Sequence, residues 1–367
     1  MLNGLWLAPL VLWLANRGDA PNSPLDMLYF AITALFWIGH RLSSTWLAYA
    51  TEAYRPLLRA QPVRFVVLPL LITVACFAVF LPPDTALPFT RAQRLVLLAI
   101  LDYAFGVYHF AGQHFGALSL YRLRAGRAAS ASTRSMDRLF ALGVGGALIF
   151  VADIVSGSVA YQDRWIGGWF PDWMVAAQEE IRWASMALLF AATAAMLGFE
   201  LRSARPSLPR ILYVAGLSLL VAIALTPRSL FPFLVLWTSQ HWILATGFAS
   251  RTARVQPQAP QSGVRRLLHV LNARPWAIVI LLMAVSVLLL PVFEVEANRQ
   301  GGTYYGDRIF GFLAQSLRSS TWVPALIALG FASGFVHYLL DRCVYRMSNP
   351  QIRAAARGLV GSPTASS

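Results

Sequence analysis

The sequence has 367 residues, of which 57% are hydrophobic and 13% are charged, and this charged fraction is about half that of an ordinary soluble domain. All thirty basic residues are arginine and the formal net charge is +14, but the arginines lie in short groups between apolar segments. This pattern excludes an ordinary soluble domain and a basic nucleic-acid-binding surface, so no nucleic-acid partner is expected.

Uncharged apolar runs recur along the chain, and each can cross a hydrocarbon core about 30 Å thick. Because every backbone polar group in lipid needs an internal hydrogen-bond partner, these runs are predicted to be α-helices. The predicted fold class is all-α, a polytopic transmembrane helical bundle with about ten spans, or nine if the first segment does not cross. In chain order the predicted spans are 3–16, 27–49, 65–81, 95–121, 139–160, 183–201, 211–225, 231–250, 276–293 and 322–344.

The arginines predict the orientation of these spans. With a cytoplasmic N-terminus, twenty arginines fall in inside segments, nine fall outside, and Arg41 lies within a span. An excess of arginine on the cytoplasmic side is the expected bias for membrane helices. We therefore predict a multi-pass protein of the inner (plasma) membrane with both termini in the cytoplasm.

The predicted organisation has four parts. Residues 1–250 form a transmembrane bundle of spans 1–8, and residues 251–275 form a cytoplasmic linker followed by a basic amphipathic surface helix. Residues 276–344 contain spans 9 and 10, packing on the same bundle, and residues 345–367 form a cytoplasmic tail. The lipid bilayer is the partner that this organisation requires.

Five of the six histidines lie within predicted spans, where an ionisable side chain is costly and marks a functional site by default. All five are on helices predicted to run from outside to inside, near the cytoplasmic end, so that four different helices bring imidazole to one depth. Ligands from separate helices at one level are what a metal site in a helical bundle requires. The predicted metal ligands are His40, His109, His114, His241 and His337.

A simpler interpretation applies to each histidine alone, since a buried imidazole can just hydrogen-bond between helices. The shared depth of all five favours the metal site. His269 differs, because it lies on the basic surface helix and is interpreted as interfacial.

Neighbouring polar residues are predicted to orient the bound metal and its ligands. Gln113 and Gln240 each precede a histidine, and Asp341 lies one helical turn beyond His337. Carboxylates and amides beside ligating histidines commonly fix the protonated ring nitrogen. We therefore predict cofactor-binding roles for Gln113, Gln240 and Asp341.

Two residues of the fourth span are predicted to be catalytic. Asp102 and His109 belong to one polar stripe along the helix. His109 and His114 are five residues apart, about 140° around a regular helix, so they do not easily share one ion. Either one of them supports the other ligands, or the helix is bulged, or two metals are bound.

No nucleotide-binding, serine-hydrolase, zinc-protease or clustered desaturase histidine motif occurs in the sequence. The placement of histidines on separate spans resembles that of the Brp/Blh-type membrane carotenoid dioxygenases. The resemblance implies iron held by histidines alone, and it assigns no individual residue.

Three functions fit these features. The first is a membrane oxidoreductase with a non-haem metal, iron with zinc or copper as alternatives, that acts on a lipophilic substrate entering from the bilayer and receives electrons from a donor protein. The second is a haem b or quinone-linked electron carrier with two of the histidines as axial ligands. The third is a transporter with a relay of histidine and aspartate side chains.

Overall fold

The computed structural model describes residues 11, 23–127, 130–153, 172–226, 230–254, 263–297, 304–318, 321–355 and 359. These residues are predominantly helical and contain no β-strand, which confirms the all-α class. The α-helices are α1 Pro24–Ile32, α2 Ile38–Ala50, α3 Arg55–Ala60, α4 Leu68–Phe80, α5 Arg91–Arg124, α6 Ala131–Leu142, α7 Leu148–Asp153, α8 Asp172–Ala176, α9 Gln178–Leu201, α10 Leu208–Leu225, α11 Leu230–Ala253, α12 Gly263–Asn272, α13 Pro275–Ala297, α14 Gly306–Phe310, α15 Phe312–Arg318, α16 Val323–Val344 and α17 Pro350–Ala355.

Seven helical stretches within these ranges are long and apolar enough to cross a membrane: Val63–Phe80, Arg91–Arg124, Ala131–Ala152, Gln178–Leu201, Leu208–Leu225, Pro275–Glu296 and Val323–Val344. They coincide with seven of the ten predicted spans. The predicted spans 27–49 and 231–250 are also helical, but their crossing of the membrane stays a prediction. The first predicted span lies outside the described residues apart from Val11.

The apolar surfaces of these helices agree with a lipid environment. Leu70, Leu71 and Val74 of α4 are all exposed, whereas Phe80 at the end of the same helix is fully buried. Exposed leucine and valine side chains along one helix form the kind of surface that hydrocarbon chains solvate and water does not.

The described residues divide into two compact units. Unit 1 comprises Tyr103–His241 and Met1–Ala15, of which only Val11 is described, and unit 2 comprises Asn16–Asp102 and Trp242–Ser367. The four-part organisation stays a prediction, and residues 255–262 of its linker lie outside the described residues.

Unit 1 has its apolar core between α5, α6, α7, α9 and α10. Leu118, Val144, Leu189, Val214 and Val221 are among its most buried members. A fully buried arginine lies at the edge of this core: Arg210 of α10 is completely inaccessible and forms ion pairs with the carboxylates of Asp137 and Glu200. A buried arginine needs such partners, because removing its charge from water is costly.

Unit 2 has its core between α2, α3, α13, α16, α17 and the C-terminal part of α11. Leu47, Phe65, Ile278 and Leu340 are buried within it. Gly39 lets α2 approach α13 closely, since a Cβ atom at this position would lie 3.1 Å from the carbonyl oxygen of Leu282. This close approach positions His40 inside the unit.

The predicted surface helix is present as α12 in unit 2. Buried Asn272 fixes its end, accepting a 2.8 Å hydrogen bond from Trp46 Nε1 and donating one of 2.8 Å to the carbonyl of Ala50. Near its start, Arg265 donates hydrogen bonds of 2.8 and 2.7 Å to the carboxylate of Glu52. The hydrogen bond from Arg265 lowers the pKa of Glu52 from its ordinary value of 4.5.

In the part of the chain that the structure describes, three π-helical segments interrupt the helices, at Thr33–Trp37, Val63–Val67 and Gly143–Ala147. The first ends three residues before His40, and the third contains Gly145, which packs on His114. A π segment widens one turn and rotates the residues that follow, and such turns are frequent at functional sites.

Candidate metal centre

His40 is the first histidine of unit 2. Its side chain is buried, and Nδ1 lies 2.6 Å from the carbonyl oxygen of Trp37, the last residue of the π segment. Because a carbonyl oxygen only accepts, Nδ1 carries the proton and donates it. The lone pair of His40 is therefore on Nε2, which is the form of imidazole that binds a metal.

His337 of α16 lies against His40. The two rings are edge to face with centroids 4.6 Å apart, and the donor nitrogens lie within 4.8 Å of one another. His337 is completely buried. Two metal bonds of about 2 Å reach between nitrogens at this separation after a small rotation of the rings.

A hydroxyl and a carboxylate orient His337. Its Nδ1 lies 3.0 Å from Ser44 Oγ and 3.8 Å from Asp341 Oδ1. The carboxylate favours a proton on Nδ1, which then donates to Ser44, and the lone pair is on Nε2. Asp341 thus lies beside the histidine that the sequence assigns it to.

His40 and His337 belong to one group of donors that could hold a metal ion, and His337 and Asp341 belong to another. His40, His337 and Asp341 are all buried. Imidazole nitrogens and carboxylate oxygens are donors that many non-haem iron sites use. The chemistry of the donors therefore fits a divalent transition metal, and their identity alone does not select which one.

Unit 1 contains a second pair of buried histidines, His109 and His241. Their ring centroids are 5.2 Å apart and the rings are nearly perpendicular. The side-chain amide of Gln113 lies 3.2 Å from His109 Nε2, one helical turn away. Phe110 covers the His241 ring at 3.9 Å between centroids. Gln113 thus contacts His109, with which it shares the polar stripe of the fourth span, and its cofactor-binding role stays a prediction.

His114 of unit 1 has different neighbours. Its Nδ1 lies 2.8 Å from the hydroxyl of Tyr213, which is also hydrogen-bonded to the side chain of Gln240. His114 Nε2 is buried and makes no hydrogen bond to any described residue. Gln240 therefore contacts the Tyr213 hydroxyl, which in turn contacts His114, and not His114 itself. The role of His114 as a metal ligand stays a prediction.

A glycine makes room for the His114 ring. A Cβ atom at Gly145 would lie 2.6 Å from His114 Cδ2, closer than carbon atoms pack. Gly146 lies beside Ala111 in the same way, with 3.1 Å to its Cβ. The close contact of α5 with the third π segment depends on both glycines.

Asp102 is in unit 2, where it accepts a 3.2 Å hydrogen bond from the hydroxyl of Tyr338. Its Oδ1 would lie 3.3 Å from a Cβ atom at Gly334. Tyr338 directly follows His337 in α16, so Asp102 reaches the helix that carries a predicted ligand. The catalytic role of Asp102 stays a prediction.

The sequence did not predict the buried ion pair of Arg41. The Arg41 guanidinium, next to His40, lies 3.4 Å from Glu296 Oε2 and also donates to Ser333 Oγ and the carbonyl of Gly330, each at 3.2 Å. Gly330 is needed there, since a Cβ atom would lie 2.4 Å from Glu296 Cβ. Because Arg41 and Glu296 are 255 positions apart, no local sequence pattern pairs them. The sequence shows only that each is a charged residue within or beside a span.

No known protein family, curated protein or solved structure matches this chain. The described residues define the class: they form an all-α protein, seven of their helices are suited to cross a membrane, and their buried histidine and aspartate groups could hold a metal ion.

Proposed function

We propose that this protein is an integral membrane oxidoreductase that holds a non-haem metal ion, iron in the first place, and acts on a lipophilic substrate. The observation that carries the proposal is the buried pair His40–His337, in which the Nδ1 contacts to Trp37, Ser44 and Asp341 direct both Nε2 lone pairs away from those partners. A bound ferrous ion would supply a redox centre with coordination positions open to O₂ and substrate.

The residues of the chain have separable roles in this proposal. His40 and His337 hold the ion, and Asp341 fixes the protonation of His337. Asp102 and Tyr338 are a carboxylate and a hydroxyl in hydrogen-bond contact, able to hold or pass a proton.

His109 and His241 are a second candidate pair of ligands, with Gln113 able to orient His109. The sequence prediction that ligands from four spans surround one ion stays a prediction. Loss of the whole metal complement in His241→Ala would support it, and partial loss would support separate sites.

The composition supports a lipophilic substrate and partners in or at the membrane. Since the described helices are largely apolar and expose leucine and valine, a lipophilic substrate can enter laterally from the bilayer. An inner-membrane location with both termini in the cytoplasm belongs to the same proposal. An electron-donor protein would return the metal to its reduced state.

Haem is a weaker fit to the histidine pairs. Two axial imidazoles on opposite faces of a porphyrin have ring centroids about 6 Å apart, because each metal–nitrogen bond is about 2 Å. The centroid separations of 4.6 Å in His40–His337 and 5.2 Å in His109–His241 are shorter, so neither pair encloses a porphyrin.

The experiment is anaerobic loading of the purified protein with Fe(II) followed by exposure to nitric oxide. We expect the electron paramagnetic resonance signal of a high-spin non-haem iron nitrosyl, because NO fills a position open to O₂. His337→Ala should lose the signal, and His269→Ala, on the surface helix, should keep it.

Three outcomes contradict the proposal. Wild-type protein that binds no iron under these conditions has no metal centre. Iron that is bound without forming a nitrosyl has no open position and is structural. A Soret band in protein purified from haem-supplemented cells supports the electron-carrier alternative.

A further inference from the structure

Unit 1 contains a cavity of about 580 Å³ that the proposed oxidoreductase function does not use. It lies between the end of α5, the start of α6 and the C-terminal end of α9. Its polar end is lined by three arginines, Arg122, Arg127 and Arg202, together with Thr133 and Ser203.

The charges around the polar end do not balance. Arg122 donates to Asp137 at 2.6 Å, and Arg127 donates to Glu200 at 2.7 and 2.8 Å. Both carboxylates are shared with the fully buried Arg210. The three guanidinium groups of Arg122, Arg127 and Arg210 thus share two carboxylates. An unbalanced positive charge in a water-poor setting favours the binding of an anion.

Two of the lining arginines retain hydrogen-bonding capacity. Arg122 is almost completely buried, and its Nε–H makes no hydrogen bond to any residue that the structure describes. The Arg202 side chain is exposed at the end of α9 and forms no ion pair in the described ranges. Arg202 can donate to an anionic oxygen, since guanidinium groups bind phosphate through several N–H donors.

The other end of the cavity is an apolar groove on α9. Ala194 and Ala195 line it and are exposed, and a Cβ atom at Gly198 would meet nothing within 4 Å. Phe199 and Met136 complete this wall. Because α9 is one of the candidate spans, the groove lies along a surface that hydrocarbon chains cover.

We propose that this cavity binds an anionic phospholipid, with the phosphate at Arg122, Arg127 and Arg202 and an acyl chain along Ala194, Ala195 and Gly198. A phosphate group accounts for the arginines at the polar end of the cavity. A soluble phosphate would leave the apolar groove on α9 empty, whereas the acyl chain of a phospholipid would fill it. Basic pockets at the ends of spans bind anionic headgroups through this combination of charge and apolar contact.

The test is the binding of phosphatidylglycerol to purified, delipidated protein, measured by native mass spectrometry and by the shift of the unfolding temperature. Phosphatidylcholine is the reference lipid. We expect phosphatidylglycerol alone to bind and stabilise, and Arg202→Gln to weaken its affinity about tenfold. Arg205→Gln is the matched control, because Arg205 is exposed three residues away and does not line the cavity.

A second variant separates lipid from soluble phosphate. Gly198→Leu fills the groove and should weaken phosphatidylglycerol binding while leaving the arginines in place. Displacement of the lipid by millimolar inorganic phosphate, with Gly198→Leu unaffected, would assign the site to a soluble anion and overturn the lipid. Equal binding of both lipids, or equal effects of Arg202→Gln and Arg205→Gln, would also overturn it.

Discussion

At the scale of single residues, hydrogen bonds determine which ring nitrogen each histidine presents. The carbonyl of Trp37 fixes the protonated nitrogen of His40. Ser44 and Asp341 do the same for His337, and the Tyr213 hydroxyl contacts His114. The sequence predicts the depth of these histidines from their distance to the arginine groups. It does not predict the partners, because Ser44 and His337 are 293 positions apart and His114 and Tyr213 are 99 apart.

Asp341 provides a prediction that separates an orienting residue from a ligand. Replacing it with asparagine keeps the shape and removes the charge near His337 Nδ1. If Asp341 orients His337, the affinity for Co(II), measured by the visible ligand-field spectrum, should fall about 10- to 100-fold with the same band shape. If Asp341 is a ligand, the band shape itself changes with the donor set. An unchanged affinity and spectrum would remove Asp341 from the site.

Gly145 provides a second prediction at this scale. Gly145→Ala places a methyl group 2.6 Å from the His114 ring, so the ring must move away from Tyr213. We expect a loss of about 1–3 kcal/mol in the free energy of unfolding, as for other overpacked sites. Gly143→Ala is the control in the same π segment, since its Cβ meets nothing within 4 Å. Equal unfolding temperatures for the two variants would contradict this account.

At the scale of elements, the helices could be predicted and their π segments could not. The predicted span 65–81 corresponds to Val63–Phe80, and the surface helix predicted within 251–275 is α12, Gly263–Asn272. Apolar run length and amphipathic spacing carry that information. The π turn before His40 depends on packing against distant helices, which a local pattern does not encode.

The surface helix provides a prediction of pH dependence. Its hydrogen bonds from Arg265 lower the pKa of Glu52, so the contact is complete above the ordinary value of 4.5 and is lost as the pH falls through the lowered pKa. Hydrogen–deuterium exchange across 263–272 should therefore be slow and constant at neutral and mildly acidic pH after correction for the intrinsic exchange rate. Glu52→Gln should increase this exchange at neutral pH.

Arg266→Gln is the control for the surface helix, because Arg266 is an exposed neighbour of Arg265 on α12. It should leave the exchange unchanged. If Glu52→Gln and Arg266→Gln behave alike, the Glu52–Arg265 contact does not hold the helix in place.

At the scale of the whole molecule, the arginine distribution predicts an orientation that can be tested directly. In a protein lacking Cys76 and Cys343, Thr85→Cys lies in a loop predicted to be outside and Ser130→Cys in one predicted to be inside. An impermeant maleimide added to intact cells should label only Thr85→Cys. Labelling of Ser130→Cys before permeabilisation would reverse the topology and the depth assigned to the histidines.

If the buried histidines of this membrane protein hold a metal ion, the purified protein contains that metal in a fixed ratio to the chain. We expect about one iron ion per chain after anaerobic loading and gel filtration, measured by inductively coupled plasma mass spectrometry. The double variant His40→Ala/His337→Ala should be close to metal-free, while His269→Ala should equal the wild type. A wild type without metal, or a double variant with the full complement, would contradict the claim.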